Sequence, residues 1–184
     1  MHRGGGGSFA VPWPGAGQRG PAPAEFLTGP GQAFHEFYAR NGFDYPGAPT
    51  SANERFTTPH DSAHVLSGYD TSLQGELLVS TFTAGMHPDE PITGHILPVI
   101  VSWHLGIEVA KFAGSSTGSL DPRKFWVAWE RGDETAGDTL GPTWDFWGLT
   151  EQPLAEVRRA MAVPALDPAD AADGVYPDWY EPTA

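Results

Sequence analysis

The sequence predicts an all-α fold, a single-domain orthogonal helical bundle of about six to eight helices. Three observations carry that prediction. Apolar residues recur at helical spacing in one segment after another, several of these segments open on capping residues or close on glycine, and only residues 97–102, with β-branched Val99, Ile100 and Val101, offer a strand candidate. Residues 32–40 place Phe34, Phe37 and Tyr38 on one stripe, and Asn41-Gly42 stops the helix. A short helix follows over 58–66, ending before Ser67-Gly68; Pro59 favours an extended Thr58 and sets the expected start. Asp70 and Thr71 are N-cap candidates for a helix carrying Leu73, Leu77, Leu78 and Phe82, with Gly85 as its stop. Pro91 or Thr93 opens a longer apolar segment to residue 112, kinked or broken at Pro98. His95, Pro98, His104, Glu108 and Lys111 disqualify that segment as a membrane span and leave a buried amphipathic helix pair. Asp121-Pro122 caps a helix with Phe125, Trp126, Val127 and Trp129, and Thr150 caps a last one with Leu154, Val157 and Met161 on one stripe.

The 184 residues give room for one domain with a proper core, and not for two. Residues 1–24 are rich in Gly and Pro and read as a flexible arm, with Phe9, Val11 and Trp13 as docking anchors. They lack the basic start and apolar run of a secretory leader, so the expected location is cytoplasmic, at most peripheral to a membrane. Residues 165–184 carry five acidic side chains and no Lys or Arg, which predicts a solvated tail onto which Tyr176, Trp179 and Tyr180 could pack. The folded unit is then 25–164. Lys and Arg number 10 against 23 Asp and Glu, a formal net charge of −13. That balance argues against a nucleic-acid partner and against electrostatic capture by anionic lipid. With no cysteine, disulfide scaffolds, thiolate catalysis and Cys-based metal sites are excluded, and any transition-metal site must use His and carboxylate.

One local pattern carries chemistry: His60-Asp61-Ser62-Ala63-His64, followed by Glu76. On a helix, residues i and i+4 share a face with Cβ atoms about 5–6 Å apart, close enough for two imidazoles to share one ion. Asp61, rotated by about 100°, could reach the ion from the side, orient a ligand imidazole or accept a proton. On a continuous helix Glu76 would lie about 18 Å beyond His64, out of reach. The sequence Ser67-Gly68-Tyr69-Asp70 supplies the break that folds the second helix back. Two His and a carboxylate bind zinc or another divalent ion with an open position for water or substrate. The bland alternative is a chance His pair serving as surface polarity or core hydrogen bonding.

The run His60-Asp61-x-x-His64-Val65-Leu66-Ser67-Gly68-Tyr69, with eleven residues between His64 and Glu76, resembles the Coq-four family of coenzyme Q biosynthesis, whose members carry an HDxxH motif followed by eleven residues and a Glu. The similarity extends to Phe37-Tyr38-Ala39-Arg40-Asn41-Gly42-Phe43, to Arg55, to Gly75-Glu76-Leu77, to Trp129-Glu130-Arg131-Gly132 and to Pro153-Leu154-Ala155-Glu156-Val157-Arg158. It covers residues 31–163. The resemblance implies an all-α domain with a mononuclear site for zinc or another divalent ion such as ferrous iron. It also implies a homodimer that associates with membranes and binds prenylated ligands. The chemistry it implies is removal of the carboxylate at carbon 1 of a quinone-precursor ring, coupled to hydroxylation there. His60, Asp61, His64 and Glu76 carry over as the metal set. Ser62 and Ala63 are smaller than the family's usual residues and would enlarge the cavity beside the ion, which points to a smaller, soluble aromatic or natural-product acid.

The resulting expectation is a metal-dependent, lyase-like decarboxylase with the ion on His60, His64 and Glu76. Asp61 is its fourth ligand or base, and Asp61 and Glu76 are its catalytic residues. Three alternatives compete: a metallohydrolase with Asp61 as base, a lipid-binding scaffold that organises other biosynthetic enzymes, and a metal-stabilised structural domain. His95 and His104 read as core or cavity histidines, Glu108 as a partner for His104 one turn on, and His87-Pro88-Asp89 as a loop. Trp103, Phe112, Phe125, Trp126 and Trp129 read as core, or else as an apolar wall for an aromatic or prenyl substrate. Arg158-Arg159 suit a helix C-terminus, and His35 has no assigned role.

Overall fold

A computed structural model of the chain describes residues 30–45, 48, 50, 54–87, 89, 91–97, 101, 104–107, 117–146, 152–167, 170 and 173–176. The expected N-terminal arm, the Pro98 break, the strand candidate at 99 and 100, Trp103, Glu108, Phe112, Thr150, Trp179 and Tyr180 lie outside these residues. The fold is all-α. Among the described residues there are five α-helices and one π-helical turn: α1 (Pro30–Asn41), α2 (Glu54–Ser67), α3 (Leu73–Met86), the turn Pro91–Ile96, α4 (Pro122–Glu134) and α5 (Leu154–Ala160). The only extended pairing among them is an isolated antiparallel bridge between Tyr69 and Val175. No helix of the described residues is long and apolar enough to cross a membrane.

Helix α1 ends as its sequence requires. Gly42 takes φ +66°, the Gly42 amide bonds Ala39 O, the Phe43 amide bonds Tyr38 O, and the Phe43 and Tyr38 rings meet edge to face at 6.0 Å. Its buried stripe of Phe34, Phe37 and Tyr38 forms one core cluster with Val65, Phe146 and Tyr176. Helix α2 corrects the expected start at residue 58: it begins at Glu54 and runs through Pro59. Proline removes one intrahelical bond, yet the second turn is anchored by Ser62 Oγ donating to Thr58 O at 2.6 Å and by burial from Asp61 onward.

The reversal after α2 is built differently from the expected Asp70 or Thr71 cap. Ser72 is the N-cap of α3, accepting from the Gly75 amide, while Asp70 Oδ1 accepts from both the amide and the hydroxyl of Ser72. Thr71 bonds Asn41 on α1 instead. Gly85 likewise is no helix stop, since α3 continues to Met86. It is a contact point. A Cβ on Gly85 would meet Trp129 O at 2.4 Å, and one on Gly132 would meet Phe82 O at 2.1 Å, so α3 and α4 touch backbone to backbone. The Asp121-Pro122 start of α4 matches its sequence signature, with Asp121 accepting from the Arg123 and Lys124 amides.

Two further expectations are corrected. The described residues of 165–176 are not a solvated tail: Leu166, Asp170 and Val175 are buried, as is Tyr176, whose packing onto the domain was expected, and Asp70 N–Gly174 O and Tyr176 N–Gly68 O bonds, each 2.9 Å, tie them to the reversal. The apolar Val175 and the Tyr176 ring have core to fill, which outweighs the local charge. Trp126 is 58% exposed, on the outer face of α4, and is not core. Gly132→Ala should cost about 3 kcal/mol or more, because the new methyl meets backbone that cannot step aside. Urea unfolding should show it as a lowered midpoint at unchanged slope.

Candidate metal centre

Helix α2 presents His60 and His64 one turn apart, their rings perpendicular with centroids 4.8 Å apart. Their Nε2 atoms lie 3.3 Å from each other. Glu76, in the first turn of α3, is returned to them by the reversal: Oε2 lies 3.3 Å from His60 Nε2, and Oε1 lies 3.4 Å from His64 Nε2. Gly75 beside it is packed so closely on Asp70 that a Cβ would fall 2.0 Å from Asp70 O, which lets the helix start directly under the turn.

These three residues form a group that could hold a metal ion. The spacing fits: an ion bound tetrahedrally at about 2.0–2.1 Å holds its ligand atoms about 3.3 Å apart. The donor chemistry fits as well. His64 Nδ1 lies 2.9 Å from Tyr69 O, so that nitrogen carries the proton and donates, leaving the Nε2 lone pair to face His60 and Glu76. His64 is 1% exposed against 20% for His60 and 24% for Glu76, so the group opens toward solvent on the His60–Glu76 side. Phe56, one turn before His60 and 57% exposed, stacks on the His60 ring at 5.3 Å.

Electrostatics hold the cluster together. Burial pushes the Glu76 carboxyl up, but the hydrogen bonds and charges of His60 and His64 outweigh it, so the group lies far below the usual carboxylate range. Burial pushes His64 down, and Glu76 together with the Tyr69 carbonyl and Asp61 outweighs it, so His64 binds a proton more readily than an ordinary imidazole.

Asp61 stands apart from the expected ligand set. Its carboxylate does not join the group of ligand atoms that His60, His64 and Glu76 form. It is buried and accepts a hydrogen bond from the Tyr38 hydroxyl on α1. The physical reason is geometric: a residue one step along the helix is turned away from the His60–His64 face and toward α1. Burial raises the Asp61 pKa, while the Tyr38 bond and the two imidazoles work against that rise.

The other histidines separate cleanly. His35 stacks on Tyr45 and shares a hydrogen bond with its hydroxyl. His104 Nδ1 accepts from the Leu120 amide at 3.2 Å, and its expected partner Glu108 lies outside the described residues. His87 follows α3 and sits 2.5 Å from Asp138 Oδ2, with the His95 ring edge-on at 5.7 Å. Burial, with His87 nearby, pushes His95 below its ordinary value. The sequence carried no signal for the His87–Asp138 pair, which is separated by 51 positions. Nor does it single out Tyr38: its place on an apolar stripe marks it as core, and nothing local links it to Asp61. Arg158 does not serve its own helix alone; it donates to the Val65 and Leu66 carbonyls at 2.8 and 2.9 Å, closing the C-terminal end of α2. Arg55 is exposed.

Compared with known proteins, the chain matches no family model and no curated protein.

A cation entering this group must displace the proton that His64 retains above its ordinary pKa of 6.5. Metal affinity should therefore fall as pH drops through that raised value and level off above it. Competition titrations with a coloured chelator between about pH 5.5 and 8.5 would show the trend. Affinity independent of pH would exclude His64 as a ligand.

Proposed function

We propose that this chain is a metal-dependent enzyme of the Coq-four type that removes the carboxylate of an aromatic acid, with one zinc or ferrous ion on His60, His64 and Glu76. The observation that carries the reading is that one ligand atom from each of His60, His64 and Glu76, drawn from two helices, lies within 4.8 Å of the others, with His64 Nε2 freed by the Tyr69 carbonyl. A bound divalent ion supplies Lewis acidity toward the substrate's carboxylate or adjacent phenolate oxygen. In this reading the exposed Phe56 ring beside His60 offers an apolar face for the substrate ring. Loss of carbon dioxide leaves an electron pair on the ring carbon, and a proton must take the place of the carboxyl group. Asp61, next to His60 and bonded to Tyr38, is the group that relays that proton. Coupled hydroxylation would need an electron acceptor, because zinc has no redox chemistry of its own.

The resemblance to that family brings with it the proposals of a homodimer and of a prenylated or a smaller, soluble aromatic substrate. The expected widening of the site by Ser62 and Ala63 is not seen: Ala63 is packed in the core with Tyr69, Leu78 and Phe82, and Ser62 is buried with its hydroxyl on Thr58 O. A lipid-binding scaffold role is the second reading, favoured by exposed Leu97, Leu105 and Ile107 in the segment after the π-helical turn.

Metal analysis of the purified chain tests the foundation. The wild type and His35→Ala should each carry about one divalent ion per chain, and His64→Ala and Glu76→Ala should carry none. The metal-loaded protein should then release carbon dioxide from hydroxybenzoate-like acids, with the two metal-free variants at background. Bound lipid and no turnover across such acids would favour the scaffold reading. A metal-free wild type, prepared without chelators, would end the enzyme reading.

A further inference from the structure

We propose that His87 and His95 form a second divalent-cation site, a two-imidazole site of the kind zinc takes, with Asp138 as the carboxylate that orients His87. The inference goes beyond the function proposed above and does not depend on it. His87 lies past the far end of α3 from Glu76, about 16 Å along the axis at a rise of about 1.5 Å per residue.

His87 is fixed twice where α3 ends. Its amide donates to Thr83 O at 2.9 Å, and its ring Nδ1 donates to Asp138 Oδ2 at 2.5 Å. Asp138 is held in turn, because its Oδ1 accepts from the Leu140 amide at 2.8 Å. A carboxylate on Nδ1 settles the tautomer, so Nε2 carries the lone pair, and proteins orient metal-binding imidazoles in this way. His95 comes from the π-helical turn Pro91–Ile96, and π-helical turns gather at functional sites. Of the described histidines, His95 alone makes no hydrogen bond among the described residues. The others bond Tyr45, Glu76, the Tyr69 carbonyl, Asp138 and the Leu120 amide. The His95 ring is nevertheless half-buried, edge-on to His87 with planes 87° apart. A half-buried imidazole without a partner keeps a lone pair unused.

The separation of the two rings suits a shared ion. Two imidazole nitrogens held at about 2.0–2.1 Å from one tetrahedral ion set their ring centres about 5 Å apart. The centres of His87 and His95 are 5.7 Å apart and those of His60 and His64 are 4.8 Å apart, with the rings perpendicular in both pairs. Imidazole ligands select zinc and neighbouring transition metals over calcium or magnesium, which take oxygen. His87 and Asp138 are each about one-fifth exposed, so the site is open to solvent. Two protein ligands leave the remaining positions to water, and such an ion is lost on dialysis and restored by added zinc. Bound there, it joins the π-helical turn to the end of α3.

The test is a zinc titration of the full chain, counted by equilibrium dialysis against buffered zinc and followed by long-range proton–nitrogen NMR of the imidazoles. Wild type should bind one zinc more than His95→Ala, whatever the group of His60, His64 and Glu76 holds. In wild type the ring nitrogens of His87 and His95 should shift together as that zinc binds, while those of His35 and His104 stay in place. Asp138→Asn should keep the count and weaken that zinc about tenfold or more. Equal counts in wild type and His95→Ala would overturn the proposal. So would His87 and His95 nitrogens that do not move through the wild-type titration, a result that needs no variant to fold. A chain that binds zinc only at His87 and His95 would uphold this site and bring down the first centre alone.

Discussion

The centre depends on one bond made where the chain reverses, from His64 Nδ1 to the carbonyl of Tyr69. It does two things at once. It selects the imidazole tautomer that presents Nε2 to His60 and Glu76, and it ties the end of α2 to the first residues of the turn that brings α3 back. Tyr69 is held in turn by its bridge to Val175 and by burial of its ring under the Arg131 guanidinium, 5.2 Å away. Arg131 also donates to Ser67 O at 3.0 Å, while Arg158 takes the two carbonyls before it. The C-terminal carbonyls of α2 are thus closed by two cations from α4 and α5, and the helix that carries both imidazoles is fixed at the end nearest the turn.

The second support is the contact of α3 with α4. Glu76 can face the imidazoles only if the axis of α3 is set, and the glycines Gly85 and Gly132 let the two backbones meet with no side chain between them. Along α3, Thr81 and Thr83 turn their hydroxyls back onto Leu77 O and Val79 O, so that these polar side chains sit buried without an orphaned group. At the other end, Glu76 lies in the first turn, where the exposed amides of a helix favour a negative charge. The carboxylate is therefore stabilised by its own helix as well as by the histidines it faces.

What was legible in the sequence was what is local. His60 and His64 share a face because four residues make about one turn, and Glu76 joins them because a Gly68 turn and a polar cap intervene. The all-α class followed from the stripes of α1, α3 and α5 and from the Asp121-Pro122 start. What the sequence hid depends on partners far along the chain. Asp61 is hydrogen-bonded by a tyrosine 23 residues earlier, and Gly85, which looks like a helix stop, is a contact surface because Gly132 stands opposite. The last residues read as a charged tail because their acids are dense. Val175 and Tyr176 nevertheless have a place in the core against the reversal, and Asp170 is paired with Arg123 at 3.1 Å. Pro59 misplaced the start of α2 for a related reason: local preference at one residue yields to the packing of those that follow.

The group of His60, His64 and Glu76 also explains its own persistence before any cation arrives. Glu76 ionises more easily in the fold than in the open chain, so its contribution is present above its ordinary pKa of 4.5 and is lost as pH falls through the depressed folded value. His64 is the opposite case: its contribution is full below 6.5 and is lost as pH rises through the raised folded value. Between those limits a proton on His64 and the charge on Glu76 hold the two helices in register. As the pH rises and that proton leaves, the His64 Nε2 lone pair becomes available beside His60 and Glu76, and a cation would no longer have to displace a proton there. The proton on His64 and the charge on Glu76 therefore already hold together the arrangement that could hold an ion.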